Sequence, residues 1–176
     1  IKSYVNPGEL DSQFNFSNYF NFREYLSKDK VDIQSIKQSI NQNLLNFGPI
    51  NLMGNITSSH DQVRFMALVD GQIRIDENGL ERSYNDLPQF VKNSNSYKRH
   101  FMFTAINMML PGIPVIYYGD EYGQIGSNDP GNRTDMRFHD DWNDEEEMLF
   151  QKVRSLIHAR KKHSSFALGD LSFLIC

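Results

Sequence analysis

Ser58, Ser59, His60 and Asp61 place hydroxyl, imidazole and carboxylate groups in four consecutive positions, directly after the run "INLMGNIT" at 50–57. A serine–histidine–aspartate triad needs one imidazole nitrogen on the serine oxygen and the other on the carboxylate. Neighbouring side chains of an extended segment point to opposite sides, so contiguous residues cannot form that line. No GxSxG elbow is present either. A metal site would need further ligands. There is no HExxH motif, and His100, His139, His158 and His163 fall singly in expected helices or loops. Two readings of His60-Asp61 remain open on the residues alone. The pair contributes polar groups to a larger site, or Asp61 caps the helix that begins in "DQVRF". A second polar group, Asp120-Glu121 in "YYGDEYG", invites a general-acid reading. Adjacent carboxylates diverge, whereas paired acid and base groups must flank a substrate bond at a set separation. Asp61 and one of that pair can oppose each other only if the fold brings both segments to one pocket.

The elements that would do so alternate along the chain. "DSQFNF" at 11–16 puts Phe14 and Phe16 on one face with period two and reads as a short strand; a helix is expected over 17–26. Val31, Ile33, Ile36, Ile40 and Leu44 recur at near-helical spacing, predicting an amphipathic helix over 31–47 that ends at Phe47-Gly48-Pro49. Residues 50–56 read as a second strand. Residues 71–96 form a long polar stretch with room for one short helix. A largely buried helix is expected over 97–110, and a third strand over 114–118 with Pro114 at its first position. The helix over 143–163 opens on Asn143 or Asp144 and on Glu145, Glu146 and Glu147, buries Leu149, Val153, Leu156 and Ile157, and closes on Arg160, Lys161, Lys162 and His163, complementing its dipole at both ends. Residues 166–175 read as a turn and one or two further strands. Strand–helix alternation of this kind predicts a parallel β/α architecture, in which ligands gather beyond the carboxyl ends of the strands. "TSSHD" and "GDEYG" share that address.

Composition narrows the classes. With 18 basic and 22 acidic side chains the formal charge is −4, and no cluster of basic residues interleaves with aromatics, which argues against a nucleic-acid partner. No apolar run approaches a membrane span and no targeting segment is visible, so location is not assigned. The single cysteine, Cys176, excludes an internal disulfide framework. The first residue is Ile1, not Met, which suggests a piece of a longer polypeptide. There are 13 Phe and 8 Tyr, and the rings at Phe14, Phe16, Tyr19, Phe20, Phe22 and Tyr25 are expected to be mostly core, with a ligand platform as the alternative.

"GNITSSHDQVRF" at 54–65, together with "MMLPGIPVIYYGDEYGQIGSNDPGNRTDMRF" at 108–138, resembles the alpha-amylase superfamily of glycoside hydrolases, most closely its cyclomaltodextrinase and neopullulanase-type members. The resemblance implies an α/β fold: an incomplete (β/α)8 TIM barrel over 1–163, comprising strands six to eight at 11–16, 50–56 and 114–118, with the start of an all-β C-terminal domain at 164–176. It implies a retaining hydrolase of α-1,4 bonds, with α-1,6 bonds as a second candidate, in starch-derived oligosaccharides, pullulan or cyclomaltodextrins. Asp61 would be the transition-state-stabilising carboxylate and His60 a substrate-binding donor. Asp129 and Arg133 would be sugar-binding candidates, with a salt-linked structural role as the alternative for both. Ser59 stands where relatives usually carry asparagine; it, Arg64, Asp120 and Glu121 are expected at the rim or as loop organisers, and Tyr117 and Tyr118 as barrel core. The family's nucleophile and acid/base motifs do not occur in these residues. "DGQIRID" at 70–76 imitates the nucleophile motif with an extra residue and out of order, so Asp76 is read as a polar loop residue. No cofactor or metal is assigned to this chain, although calcium belongs to the resemblance for a full-length enzyme. The expected partner is an α-glucan or maltooligosaccharide; oligomeric state is not assigned. The competing reading is a catalytically silent amylase-like carbohydrate-binding or protein-partner module.

Overall fold

The computed structural model describes residues 4–5, 8–28, 30–48 and 52–173. Its elements, in chain order, are α1 (Phe16–Ser27), α2 (Ile33–Phe47), β1 (Gly54–Ile56), α3 (Phe65–Val69), α4 (Gly79–Asn85), α5 (Asn95–Met109), β2 (Ile113–Val115), α6 (Asp144–Lys162) and α7 (Ser165–Leu168). β1 and β2 pair in parallel, with Gly54 opposite Ile113 and Ile56 opposite Val115. The crossover between them carries α3, α4 and α5, so the chain is a mostly α/β fold with a small parallel sheet, of the partial barrel type.

The helices start where side chains satisfy their free amides. Asn15 accepts from the Asn18 amide at the head of α1, and Asp32 accepts from the Ser35 amide at the head of α2. In α6 the Asn143 side chain takes the Glu145 and Glu146 amides while Glu146 reaches back to the Asn143 amide, a complete capping box. The expected acidic first turn and basic last turn are both present there. Leu149 and Val153 are buried as expected, whereas Leu156 and Ile157 are only half-buried. Arg160, at its far end, does more than complement the dipole. Its guanidinium donates to the Leu110 carbonyl at 3.1 Å and the Gly112 carbonyl at 2.6 Å, tying α6 to the turn between α5 and β2. Gly112 has φ +113°, and a Cβ there would stand 2.4 Å from the Met53 carbonyl oxygen, so only glycine lets this turn lie against β1.

The core forms where α1, α3 and α5 converge. Phe22, Phe65 and Phe103 are fully buried, and the Phe103 ring meets Phe65 edge-on at 4.8 Å and Phe22 at 5.8 Å. Beside it, Asn15 donates to the side chains of Asn43 (3.0 Å) and Asn55 (3.1 Å), and Asn55 donates to the Pro111 carbonyl (3.0 Å). This buried amide chain bolts α1, α2 and β1 to the β2 turn, and each amide is satisfied by another, which makes its burial tolerable.

Several expectations change. The strand over 11–16 reduces to a bridge between Phe14 and Gly54, because the Asn15 cap starts α1 one residue later. The strands at 50–56 and 114–118 shrink to three residues each; of the first, residues 50 and 51 lie outside the described residues. Pro114 is the middle residue of β2, not its first. Ile113 donates to the Met53 carbonyl, and strand alternation turns the Pro114 nitrogen away from β1, where no donor is required. Residues 166–168 are helical, and no strand follows among the described residues to 173. Residues 174–176, including Cys176, lie outside them. The aromatic run divides by helix face. Tyr19 and Phe22 are buried, but Phe14, Phe16 and Phe20 are 52%, 45% and 50% exposed, so half of the expected core is surface. The helix expected over 97–110 is also less enclosed than its composition suggests, with Met102 and Met109 exposed.

Asp70, just past α3, organises the long polar stretch. Its carboxylate accepts from the Lys92 and Asn93 amides, both at 2.9 Å, and from the Ser96 hydroxyl at 2.8 Å, and so pins the entry into α5. Burial alone would raise its pKa, but the hydrogen bonds from Lys92, Gln72, Ser96 and Asn93 outweigh burial and hold it below the usual aspartate value. A depressed folded-state pKa contributes stability that is present above the unfolded value and lost as pH falls through the folded one. Asp70→Ala is therefore expected to cost about 1–3 kcal/mol near neutrality. The difference from wild type should stay constant from pH 7 to pH 5 and narrow below about pH 4. Denaturant unfolding across that range checks it; a gap that widens on acidification contradicts the assignment.

Candidate active site

Parallel pairing puts the carboxyl ends of β1 and β2 side by side, so the segments 57–62 and 116–121 leave the sheet on the same side. A buried network joins them. The Thr57 hydroxyl donates to Asp120 Oδ2, and Arg64 Nη1 lies 3.5 Å from Asp120 Oδ1. Arg64 is 0% and Asp120 2% exposed, so of the two roles expected for them, at the rim or as loop organisers, their burial fits the second. Arg64 is held through Nε and Nη1, while its buried Nη2 has no hydrogen-bond partner among the described residues. Nη1 donates to the Tyr118 carbonyl (2.8 Å), Nε to the Asn132 carbonyl (3.0 Å), and the guanidinium lies 4.6 and 4.8 Å from the ring centres of Tyr117 and Tyr118. Those tyrosines, expected in the barrel core, are half-buried and flank the cation. His100 Nε2 meets the Asp120 carbonyl at 2.8 Å; burial lowers the imidazole pKa against the pull of Asp120, so a neutral ring donating that bond fits. Glu121 is partly buried. Burial, reinforced by the neighbouring Asp120 charge, raises its pKa. Beneath Ser59, the Tyr19 hydroxyl and Arg23 guanidinium form a second buried pair, and burial raises the Tyr19 pKa, keeping the phenol protonated.

Four of the anticipated site residues meet on the surface above this network. His60 Nε2 lies 3.2 Å from Asp61 Oδ1. Arg133 Nη2 lies 3.4 Å from Asp61 Oδ1 and 3.0 Å from Asp129 Oδ2, and its Nε donates to the His60 carbonyl at 3.0 Å. His60 and Asp61 are 65% and 66% exposed, which leaves an imidazole, carboxylate oxygens and a guanidinium edge free to exchange hydrogen bonds with a polyhydroxylated ligand. Asp61 does not cap the next helix. Arg64 occupies the cap of α3 without a side-chain bond, and it is the Ser58 hydroxyl that accepts from the Phe65 amide, at 3.4 Å. Ser59 accepts from the Asp61 amide at 3.4 Å, so it shapes the turn. Asp76 pairs with Arg74 on the exposed surface, in keeping with a polar loop residue. Sequence reading assigned no individual role to Asn132, Thr57 or His100, and placed Tyr19 only among the expected core rings. Asn132 and Thr57 carried a signal, each standing inside one of the two quoted motifs.

Among the described residues no three His, Cys, Asp or Glu side chains converge as a metal site. No described helix is long and apolar enough to cross a membrane.

A parallel β/α unit with polar side chains gathered beyond its strand ends fits a partial barrel-type domain. The chain belongs to the alpha-amylase family: the family model "Alpha amylase, catalytic domain" matches residues 1–164. It is 32% identical over 120 residues to an amylopullulanase of Thermoanaerobacter thermohydrosulfuricus, covering 68% of this chain and 7% of that protein. It is 25% identical over 175 residues to a cyclomaltodextrinase of Thermoanaerobacter pseudethanolicus, covering 97% of this chain and 26% of that one. The type III pullulan hydrolase of Thermococcus kodakarensis shares the fold with a TM-score of 0.74 at 19% identity, over 94% of this chain and 27% of that structure. The chain thus spans about a quarter or less of the length of these relatives.

Proposed function

We propose that these residues are the part of a retaining glycoside hydrolase that holds the substrate at the scissile α-1,4-glucosidic bond, with α-1,6 bonds as the second candidate. The observation that carries this reading is the Arg133 guanidinium, which brings the 129–133 segment onto His60 and Asp61, uniting the two motifs of the resemblance in one exposed polar cluster. On this reading β1 and β2 are the seventh and eighth barrel strands, residues 11–16 mark the sixth, residues 1–163 belong to the catalytic domain and 164–176 enter the next one.

Asp61 accepts hydrogen bonds from sugar hydroxyls that shorten as the ring flattens toward an oxocarbenium-like state, while His60 and Arg133 donate to neighbouring oxygens. Contacts that strengthen in the transition state lower the barrier without a bond to carbon. The nucleophile and acid/base of such a mechanism would come from outside residues 1–176. In the polypeptide that carries these residues in full, hydrolysis of starch, pullulan or cyclomaltodextrin with release of the α-anomer is expected, followed by proton NMR of the anomeric signal. Residues 1–176 expressed alone are expected to hydrolyse none of them. Failure of the full polypeptide on all three substrates overturns the reading, and glucan binding without hydrolysis favours the silent module.

A further inference from the structure

We infer that Asn132 is a positioning residue for the His60-Asp61 turn: its buried side-chain amide grips the two carbonyls that bracket the turn, while Arg64 holds its main-chain carbonyl, and so sets where the imidazole and carboxylate stand. The inference rests on the functional reading above. Asn132 is fully buried. Its Nδ2 donates to the Gln62 carbonyl at 2.8 Å and to the Ser59 carbonyl at 3.2 Å, one on each side of His60-Asp61. Its own carbonyl accepts from Arg64 Nε at 3.0 Å, and Arg64 is tied in turn to Asp120. Its side-chain oxygen has no hydrogen-bond partner. The side chain is thus held through its two N–H groups, a pair that aspartate of the same shape cannot supply.

The need for such a grip follows from exposure. His60 and Asp61 are two-thirds exposed, and ion pairs so placed orient side chains weakly. The backbone must carry the orientation. The loop that presents Asn132 is closely packed, since a Cβ at Gly131 would lie 2.1 Å from the Ser127 hydroxyl. Because Arg133 follows directly, the same anchor fixes the guanidinium that reaches Asp61 and Asp129.

The test compares Asn132→Asp with Asn43→Ala in the full polypeptide. Asn43→Ala removes a buried amide from the α1–α2 junction, outside the site, and controls for general destabilisation. Asn132→Asp is expected to lower kcat on maltooligosaccharides about 100-fold with little change in KM, the consequence of displacing reacting groups by about an ångström. Asn43→Ala should keep kcat within about twofold even if it unfolds earlier. Hydrogen exchange of residues 58–63, read by mass spectrometry, should accelerate in Asn132→Asp and not in Asn43→Ala. Wild-type kcat in Asn132→Asp, or unchanged exchange at 58–63, overturns the inference. If the wild type hydrolyses no α-glucan, the functional reading fails and the exchange result still decides the positioning role. Should Asn132→Asp not fold, Asn132→Ala, which removes the donors without adding charge, carries the same expectations.

Discussion

Asp61→Asn in the full polypeptide is expected to lower kcat on maltooligosaccharides by about two to three orders of magnitude, the equivalent of the several kcal/mol that strengthening hydroxyl contacts supply to a flattening sugar ring. Stability should scarcely change. The carboxylate is two-thirds exposed and its neighbours, His60 at 3.2 Å and Arg133 at 3.4 Å, are exposed as well, so breaking these pairs costs about 0–1 kcal/mol. Asparagine keeps the shape and one acceptor oxygen but loses the charge that answers a cationic transition state. Steady-state kinetics beside a thermal unfolding curve separate the two effects. Full activity in Asp61→Asn removes this carboxylate from the chemistry, and a large drop in melting temperature assigns it to the fold.

The opposite profile is expected at Arg64. Arg64→Leu removes a guanidinium that is 0% exposed and leaves Asp120, 2% exposed, as a buried charge whose carboxylate keeps only the Thr57 hydrogen bond and the more remote Arg23 cation. Removing one partner of a buried ion pair typically costs about 3–5 kcal/mol. Further costs follow at the Tyr118 carbonyl, which loses its Arg64 donor, and at the Asn132 carbonyl, which keeps only the longer bond from the Tyr117 hydroxyl. Pairing the substitution with Asp120→Asn should recover part of the loss, because the uncompensated charge is gone. Urea unfolding of the two single variants and the double variant measures the coupling. Strict additivity of the two substitutions contradicts the brace. Activity should fall in Arg64→Leu too, since Arg64 holds the Asn132 loop against the His60-Asp61 turn.

α6 was the most legible element. Its cap, acidic first turn and basic last turn are local features, and local features decide where a helix begins and ends. The strands were less so. Residues 11–16 and 114–118 carry β-forming patterns, but a strand exists only as far as a neighbour pairs with it, and the described residues supply partners for three positions of β1 and β2. Phe14, Phe16 and Phe20 show the same limit. Their type suits a core, yet α1 turns the face carrying Tyr19, Phe22 and Leu26 inward and leaves Phe16 and Phe20 outside.

For the candidate site, the sequence by itself determined the family, through the ordered motifs at 54–65 and 108–138, and the identities of the exposed polar residues His60, Asp61, Asp129 and Arg133. Only the tertiary structure decided that Arg133 reaches Asp61 across the loop and that Asn132 grips the turn. It alone placed Arg64 and Asp120 in the interior. The physical reason is distance along the chain. Arg133 meets Asp61 from 72 residues away, and Arg64 finds the Tyr118 carbonyl from 54 away, so no local periodicity or spacing encodes either contact. They arise only when the parallel pairing of β1 with β2 sets both loops on one side of the sheet.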